Sequence, residues 1–324
     1  MSAQQILYLS RQDVENTGLE MPDVIQLLEA AFIQRCAGQV EMPPKLGIYP
    51  KPDALIHAMP AFIPSLQAAG MKWVSSYPEN VKFKLPIIHG LIIMNDPETG
   101  VPVSVMDCTW ITACRTGAAT ALAARYLARP DSRVVGIIAC GAQGRTNLEA
   151  LAAVFPIQRV YAYDISSRAV TQFMEEMTDR LGVEIIPVNE PRLAIVESDL
   201  VVTSGPIQKV PAPSIEAGWV KPGTFASSVD YGSYWTWESL AQFDKICTDD
   251  HAQYEYYRKA GYFTGFPRPY ADLGEIAAGQ KLGREHTGER TMSINLGMAM
   301  EDVVVAQEVY RRARQRGMGQ WLSL

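Results

Sequence analysis

Apolar residues recur near every 3.6 positions over residues 12–37: Val14, Met21, Val24, Ile25, Leu28, Ala31 and Phe32 fall on one face, which predicts a helix. Residues 42–64 break that rhythm with Pro43, Pro44, Pro50, Pro52, Pro60 and Pro64, so short strands and turns are expected. Residues 70–76, 89–95 and 101–106 read as strands, the last two joined as a hairpin through the turn at 96–100. After residue 108 an Ala-rich helix is expected over 109–127, stopped by Pro130. The pattern then alternates: VVGIIA, a helix at 145–154, RVYAYD, a helix at 167–181, VEIIPV, and further strands at DLVVTS, TFASSVD and KICTDD. Alternation of this kind predicts a doubly wound parallel sheet. A last apolar-periodic helix at 297–317 is long enough to return to the first region.

A chain of 324 residues is long for one core, so two domains are expected. The net charge of −6, with scattered Lys and Arg, gives no footprint for nucleic acid. No apolar run reaches the ~18–20 residues that span a bilayer, and the N-terminal stretch does not read as a signal peptide. Five cysteines, an odd number without CxxC, argue against a disulfide framework; four dispersed histidines give no metal site. A reducing, cytoplasmic setting and no metal are the expectation.

The segment from Val134 to Gly144, VVGIIACGAQG, follows a strand and opens a helix, and approximates a GxGxxG turn with Ala139 in the first glycine position. Alanine is tolerated there if its φ stays negative. Gly141 sits where backbone approaches a pyrophosphate, Gly144 where helix meets strand, and the helix N-terminus offers N–H groups to phosphates. Asp164 closes the next strand 20 residues after Gly144, placed for ribose hydroxyls and against a 2′-phosphate. The unit therefore predicts a dinucleotide site, NAD in preference to NADP, with Arg168 a softening influence.

Outside that unit, Lys72 alternates with Trp73 on a short apolar strand; taken alone, a surface lysine is the simpler reading. Arg115 lies among small residues and needs an anion, either a ligand or a structural carboxylate. Asp230 ends an apolar strand, where open α/β sheets bind ligands, and is a candidate acid/base, with helix capping as the alternative. The cluster Tyr231, Tyr234, Trp235 and Trp237 either lines a pocket or forms a packed loop.

Taken in order, Met42-Pro43-Pro44-Lys45, Met59-Pro60-Ala61, Gly70-Met71-Lys72 with Pro78 and Asn80, and the turn at 96–100 form one set of matches to a known family. Thr112-Ala113-Cys114-Arg115-Thr116, Gly141-Ala142-Gln143, Asp230 and Gly297-Met298-Ala299-Met300-Glu301-Asp302 complete it. In these the chain resembles the ornithine cyclodeaminase/μ-crystallin family over nearly its whole length. The resemblance implies a Rossmann-type doubly wound parallel sheet over 116–302. It also implies a discontinuous α+β substrate and dimerisation domain at 1–115, joined by a C-terminal helix at 303–324.

It further implies an NAD-dependent enzyme that transfers hydride between nicotinamide and the Cα of a small amino acid or imine, as a homodimer. By the same likeness Lys45, Lys72 and Arg115 hold the substrate carboxylate, Lys72 assists proton transfer, Asp230 is the acid/base, and Leu296 lies near the substrate. Arg115, Thr116, Gly141, Ala142, Gln143, Asp164, Thr203 and Asn295 are the implied cofactor contacts. Two departures matter: the stretch after Asp230 lacks the Lys of cyclodeaminases, and the acid they place just before the Met-Pro match is missing from the run Ile56-His57-Ala58-Met59. Ornithine is thereby disfavoured, and His57, His89, Tyr234 and Trp235 suggest a partly aromatic pocket. An ammonia-releasing cyclodeaminase and a non-enzymatic nucleotide-binding protein are the alternatives.

Overall fold

The structure, a computed structural model, describes residues 4–51, 53–208, 210–263 and 265–324, so Pro52 lies outside the described residues. It divides into two compact units, Met1–Arg115 with Met298–Leu324, and Thr116–Gly297. In chain order the first unit holds β1 (Gln5–Leu9), α1 (Arg11–Glu15), α2 (Met21–Cys36), β2 (Leu46–Lys51), β3 (Ala54–Ile63), β4 (Ala68–Ser76), β5 (Ile88–Asn95) and β6 (Pro102–Asp107). Helix α3 (Thr109–Leu127) begins in this unit and continues into the second. The second unit then runs β7 (Val134–Ile138), α4 (Ala142–Ala152), β8 (Arg159–Tyr163), α5 (Ser167–Leu181), β9 (Glu184–Pro187), α6 (Pro191–Ile195), β10 (Leu200–Thr203) and β11 (Phe225–Ser228). It continues with α7 (Trp237–Leu240), β12 (Lys245–Thr248), α8 (His251–Lys259), β13 (Ala271–Asp272), α9 (Leu273–Ala277) and β14 (Thr291–Ile294). The chain re-enters the first unit for α10 (Ala299–Arg316) and β15 (Gln320–Ser323).

In the first unit a seven-stranded sheet is ordered β15-β1-β6-β5-β4-β3-β2, antiparallel except for β1 beside β6. Helix α10 packs on β3, β4 and β5 and against α2. Alternation then sorts the strands: Met59, Lys72, Ile92 and Met106 pair across the sheet in one buried row, while Trp73 and Leu91 face out. The expected single helix at 12–37 is two, because Gly18 adopts φ 67 and a Ser10–Asp13 capping box starts α1 while Pro22 and Asp23 open α2. The expected short pieces at 42–64 include one ten-residue strand, β3, with Pro60 inside it. That proline is accommodated because β2 pairs only as far as Ala58, so the missing N–H faces a gap in the ladder.

The second unit is an eight-stranded, wholly parallel sheet, ordered β13-β12-β14-β11-β10-β7-β8-β9. The strand order reverses between β7 and β10, the switch point at whose carboxyl ends open α/β sheets bind ligands. Helix α4 begins at Ala142, three residues ahead of the expected 145, so the glycine turn itself forms its first turn. Strand β14 lies inside the sheet, between β11 and β12. Its sequence, TMSI, is too short for its alternation to mark a strand.

Candidate functional site

In the first unit the buried row of β3 and β4 meets the first turn of α10. Lys72 is 1% exposed, not the surface lysine its strand alone suggested, because its side chain points to the α10 face and finds a partner there. Its Nζ lies 2.5 Å from Asp302 Oδ2 and donates to Thr112 Oγ1 at 3.3 Å. Arg115 donates from Nη1 to Glu301 Oε2 at 2.7 Å and from Nε to Asp302 Oδ1 at 3.1 Å. Arg115 thus has structural carboxylates as its anions. Burial pushes the Lys72 ammonium down, Asp302 draws it up, and Arg115 presses it down again. Burial likewise raises Glu301, against the pull of Arg115.

His57 sits on the same buried face of β3, its ring over Gly47, where a Cβ would strike it. Burial, then Lys45, then Lys72 hold its pKa down at about 4, so it is a neutral imidazole at neutral pH. Lys45 is itself buried. The three cations proposed from the sequence therefore share one neighbourhood, which the sequence reading left without Glu301 and Asp302. The only signal for those two was the acid pair within the 297–302 match. His89 is on the exposed outer face of the sheet, away from this cluster.

In the second unit the turn between β7 and α4 suits a dinucleotide. Gly141 is the N-cap of α4 with no side-chain cap, so the first-turn N–H groups have no intrahelical acceptor. A Cβ on Gly141 would meet nothing within 4 Å, whereas one on Gly144 would strike the Ala139 carbonyl. Open backbone at the first position and close helix–strand packing at the second are what a pyrophosphate turn requires. Asp164 ties the same turn to the start of α5: Oδ2 accepts from Cys140 N and Oδ1 from Ser166 N, each at 2.8 Å. A carboxylate has about four acceptor positions, so both oxygens retain capacity for ribose hydroxyls. One expectation is corrected: Ala139 does not keep a negative φ but adopts φ 77. Its N–H donates to Tyr163 O and its carbonyl accepts from Ser204 Oγ, which hold the turn in this conformation.

Beyond β11, Asp230 is fully buried and caps no helix. Ser228 Oγ donates to Oδ1 at 2.7 Å, while Oδ2 has no hydrogen-bond partner among the described residues. Burial raises its pKa to about 6, opposed by the Ser228 and Thr203 hydroxyls and the Gly232 N–H. The next residue, Tyr231, is forced to φ 58 and pinned by donating from its hydroxyl to Leu296 O at 2.8 Å. Left-handed backbone at a bulky residue is costly and persists only where packing dictates it. Tyr257, Tyr262 and Phe263 pack against the Tyr231 ring. Trp235 donates from Nε1 to Thr203 Oγ1 at 3.2 Å, and Trp237 is exposed, so the aromatic segment is a packed loop more than a pocket wall.

Thr203 ends β10, opposite Ser228 of β11. Asn295 follows β14 and its side chain is held in place: Oδ1 accepts from Ser293 Oγ, and Nδ2 donates to Thr120 and Ser227 hydroxyls. Leu296 and Thr116 are buried, while Ala142 is exposed and Gln143 half-buried at the α4 terminus.

With that geometry in place, comparison with known proteins gives a consistent result. An alanine dehydrogenase of Archaeoglobus fulgidus is 36% identical over 325 residues, 97% of each chain. The solved Delta(1)-pyrroline-2-carboxylate reductase of Thermococcus litoralis, in complex with NADH and L-proline, matches with TM-score 0.88 at 34% identity, over 97% of this chain and 99% of that one. An archaeal alanine dehydrogenase dimer with bound NAD gives 0.87 at 34% identity, over 98% and 99%. The sequence model of the ornithine cyclodeaminase/mu-crystallin family matches residues 5–317, and the chain belongs to that family.

Proposed function

We propose that this protein is an NAD-dependent oxidoreductase that transfers hydride between nicotinamide and the Cα of a small amino acid or its imine. The observation that carries the reading is Asp230: a buried carboxyl with one oxygen unpartnered and a pKa raised to about 6, at the carboxyl end of a parallel strand. The names of the relatives, an alanine dehydrogenase and a pyrroline-2-carboxylate reductase seen with NADH and L-proline, support the same chemistry.

Gly141, Ala142 and Gln143 take the pyrophosphate, Asp164 the ribose, and Thr116, Thr203 and Asn295 support the cofactor around them. Arg115 serves both ligands. The nicotinamide, when bound, accepts or supplies the hydride. Lys45, Lys72 and Arg115 fix the substrate carboxylate, Lys72 assists proton transfer, and Leu296 adjoins the substrate. In oxidation the Asp230 carboxylate takes a proton from the substrate ammonium, freeing the nitrogen lone pair that drives the hydride off Cα. In reduction the protonated Asp230 gives its proton to the imine nitrogen and makes the carbon electrophilic. Positioning and one proton transfer account for the protein's share of the chemistry.

The working form is a homodimer in the cytoplasm. Leu46, Ile48, Trp73 and Leu91 lie exposed on the outer face of the first unit's sheet, an apolar area that a second copy would cover. Light scattering at twice the chain mass tests that part, and none of the five cysteines is in a disulfide, which suits a reducing compartment. No helix among the described residues is long and apolar enough to cross a membrane. The deciding experiment follows NADH absorbance with L-alanine and L-proline plus NAD, and with pyruvate plus ammonia and cyclic imines plus NADH. Stoichiometric NADH change with one of these is expected; ammonia release without net NADH change would replace the reading by a cyclodeaminase.

A further inference from the structure

The four charged groups at the start of α10 are joined in a particular way. Asp302 serves both cations at once, Oδ2 toward Lys72 Nζ at 2.5 Å and Oδ1 toward Arg115 Nε at 3.1 Å. Glu301 takes only Arg115, through Nη1 at 2.7 Å. No side chain of the four is more than 8% exposed. The two oxygens of a carboxylate are fixed in one plane, so a bridge through them dictates the separation of the two nitrogens. Arg115 is the last residue of the first segment of its unit, and Asp302 stands five positions into the second, 187 residues away. The bridge therefore also ties the point where the chain leaves this unit to the point where it returns.

We propose that Asp302 is the positioning residue of the cation pair: bridging Lys72 and Arg115, it sets their spacing and keeps Lys72 an ammonium, so that the pair forms a fixed receptor for the substrate carboxylate. The inference rests on the carboxylate-binding role proposed above for Lys72 and Arg115. Around Lys72 the charged and titratable groups are Asp302 of α10, Arg115 of α3, Cys108 just ahead of α3, and His57 of β3 with Lys45 beyond it; β5 offers apolar Ile92. Burial and Arg115 both favour the neutral amine, and Asp302 is the main opposing influence. Removing its charge lets Lys72 titrate lower. Arg115 stays charged throughout the accessible range. Loss of Asp302 thus creates a pH-dependent defect, whereas loss of Glu301 weakens the hold on Arg115 with no such dependence.

The test is an NMR titration of the Lys72 Nζ resonance in the full chain, assigned with Lys72→Met, for wild type, Asp302→Asn and Glu301→Gln. Lys72 should titrate roughly 1–3 units lower in Asp302→Asn and stay within a few tenths of wild type in Glu301→Gln. Equal titration in wild type and Asp302→Asn overturns the proposal, as does an equal fall in both variants. Asp302→Glu covers the case in which the amide variant does not fold: it restores the charge one methylene longer. It should leave Lys72 protonated while raising KM for Δ1-pyrroline-2-carboxylate about tenfold, and an unchanged KM removes the spacing role. An unchanged KM in Lys72→Ala would instead sink the carboxylate reading itself, while the titration, which needs no substrate, still judges Asp302.

Discussion

The two units bury charge to the same depth and to opposite effect. Lys72 is 1% exposed and Asp230 0%. In the first unit each buried cation of the Lys72–Arg115 pair meets a carboxylate within 3.1 Å, so the cluster is compensated. In the second unit Asp230 has hydroxyls and an amide for company but no cation among its partners, and one oxygen is left unpartnered. Compensated charge holds geometry; uncompensated charge holds a proton that can move. The first suits binding a carboxylate, the second suits acid/base work.

The strongest way to break this contrast is Asp230→Asn, which keeps the shape and removes the titration. A fall in kcat of about 10²–10⁴ is expected, the usual scale for a general acid/base. In wild type, amino-acid oxidation should rise as pH passes through about 6, because it needs the carboxylate, and imine reduction should fall over the same range. Stability follows the proton as well. A carboxyl raised from 3.8 to about 6 binds its proton more tightly when folded, so its contribution is present below the unfolded value and lost as pH rises through about 6. Steady-state rates in both directions against pH, with thermal melts on the same buffers, check both signs. A variant that keeps wild-type turnover would show the acid to be as passive as Glu301.

Asp164 tests whether a carboxylate braced by backbone behaves like the fixed charges of the first unit. One oxygen already holds the Cys140 N–H of the cofactor turn, the other the Ser166 N–H at the start of α5. Asp164→Ser should weaken NAD about 10- to 100-fold, the loss of charge-assisted hydrogen bonds, and should move the NAD/NADP ratio toward NADP. Equal losses for both cofactors would mean that Asp164 only shapes the turn.

The same contrast explains what could be read from the sequence. The parallel sheet was legible because strand–helix alternation and the 141–144 turn are local patterns, and Asp164 and Asp230 stand at strand ends that such patterns locate. The partners of Lys72 were not, because Asp302 lies 230 residues further along and only the return of α10 onto β3, β4 and β5 brings it there. Pro60 misled in the same way: a proline reads as a strand breaker until the neighbouring ladder is seen to have a gap at that position. Strand β14 was missed because four residues with alternate polar side chains give no signal, although Thr291 and Ser293 are buried and hydrogen-bonded. Asn295 was named through likeness as a cofactor contact; that Thr120, Ser227 and Ser293 hold its side chain in place only the fold reveals.

Backbone strain divides between the units as charge does. In the first, the non-glycine residues with positive φ are Asp53, Gln67 and Lys84, all in turns between strands. In the second, Ala139 (φ 77) and Tyr231 (φ 58) stand one and three positions past the ends of β7 and β11, beside the cofactor turn and Asp230, and Phe263 (φ 57), past α8, packs on the Tyr231 ring. A left-handed alanine costs roughly 1–2 kcal/mol relative to glycine, partly offset by the greater freedom of glycine in the unfolded chain. Ala139→Gly should therefore stabilise the protein by up to about 1 kcal/mol, a Tm rise of roughly 2–4 °C. NAD affinity should change little, since Ala139 N–H and carbonyl are already held by Tyr163 and Ser204. Melting curves with and without NAD check both parts. A stabilised variant that binds NAD several-fold more weakly would show that the strain is used to set the turn, placing Ala139 with the working groups of the second unit.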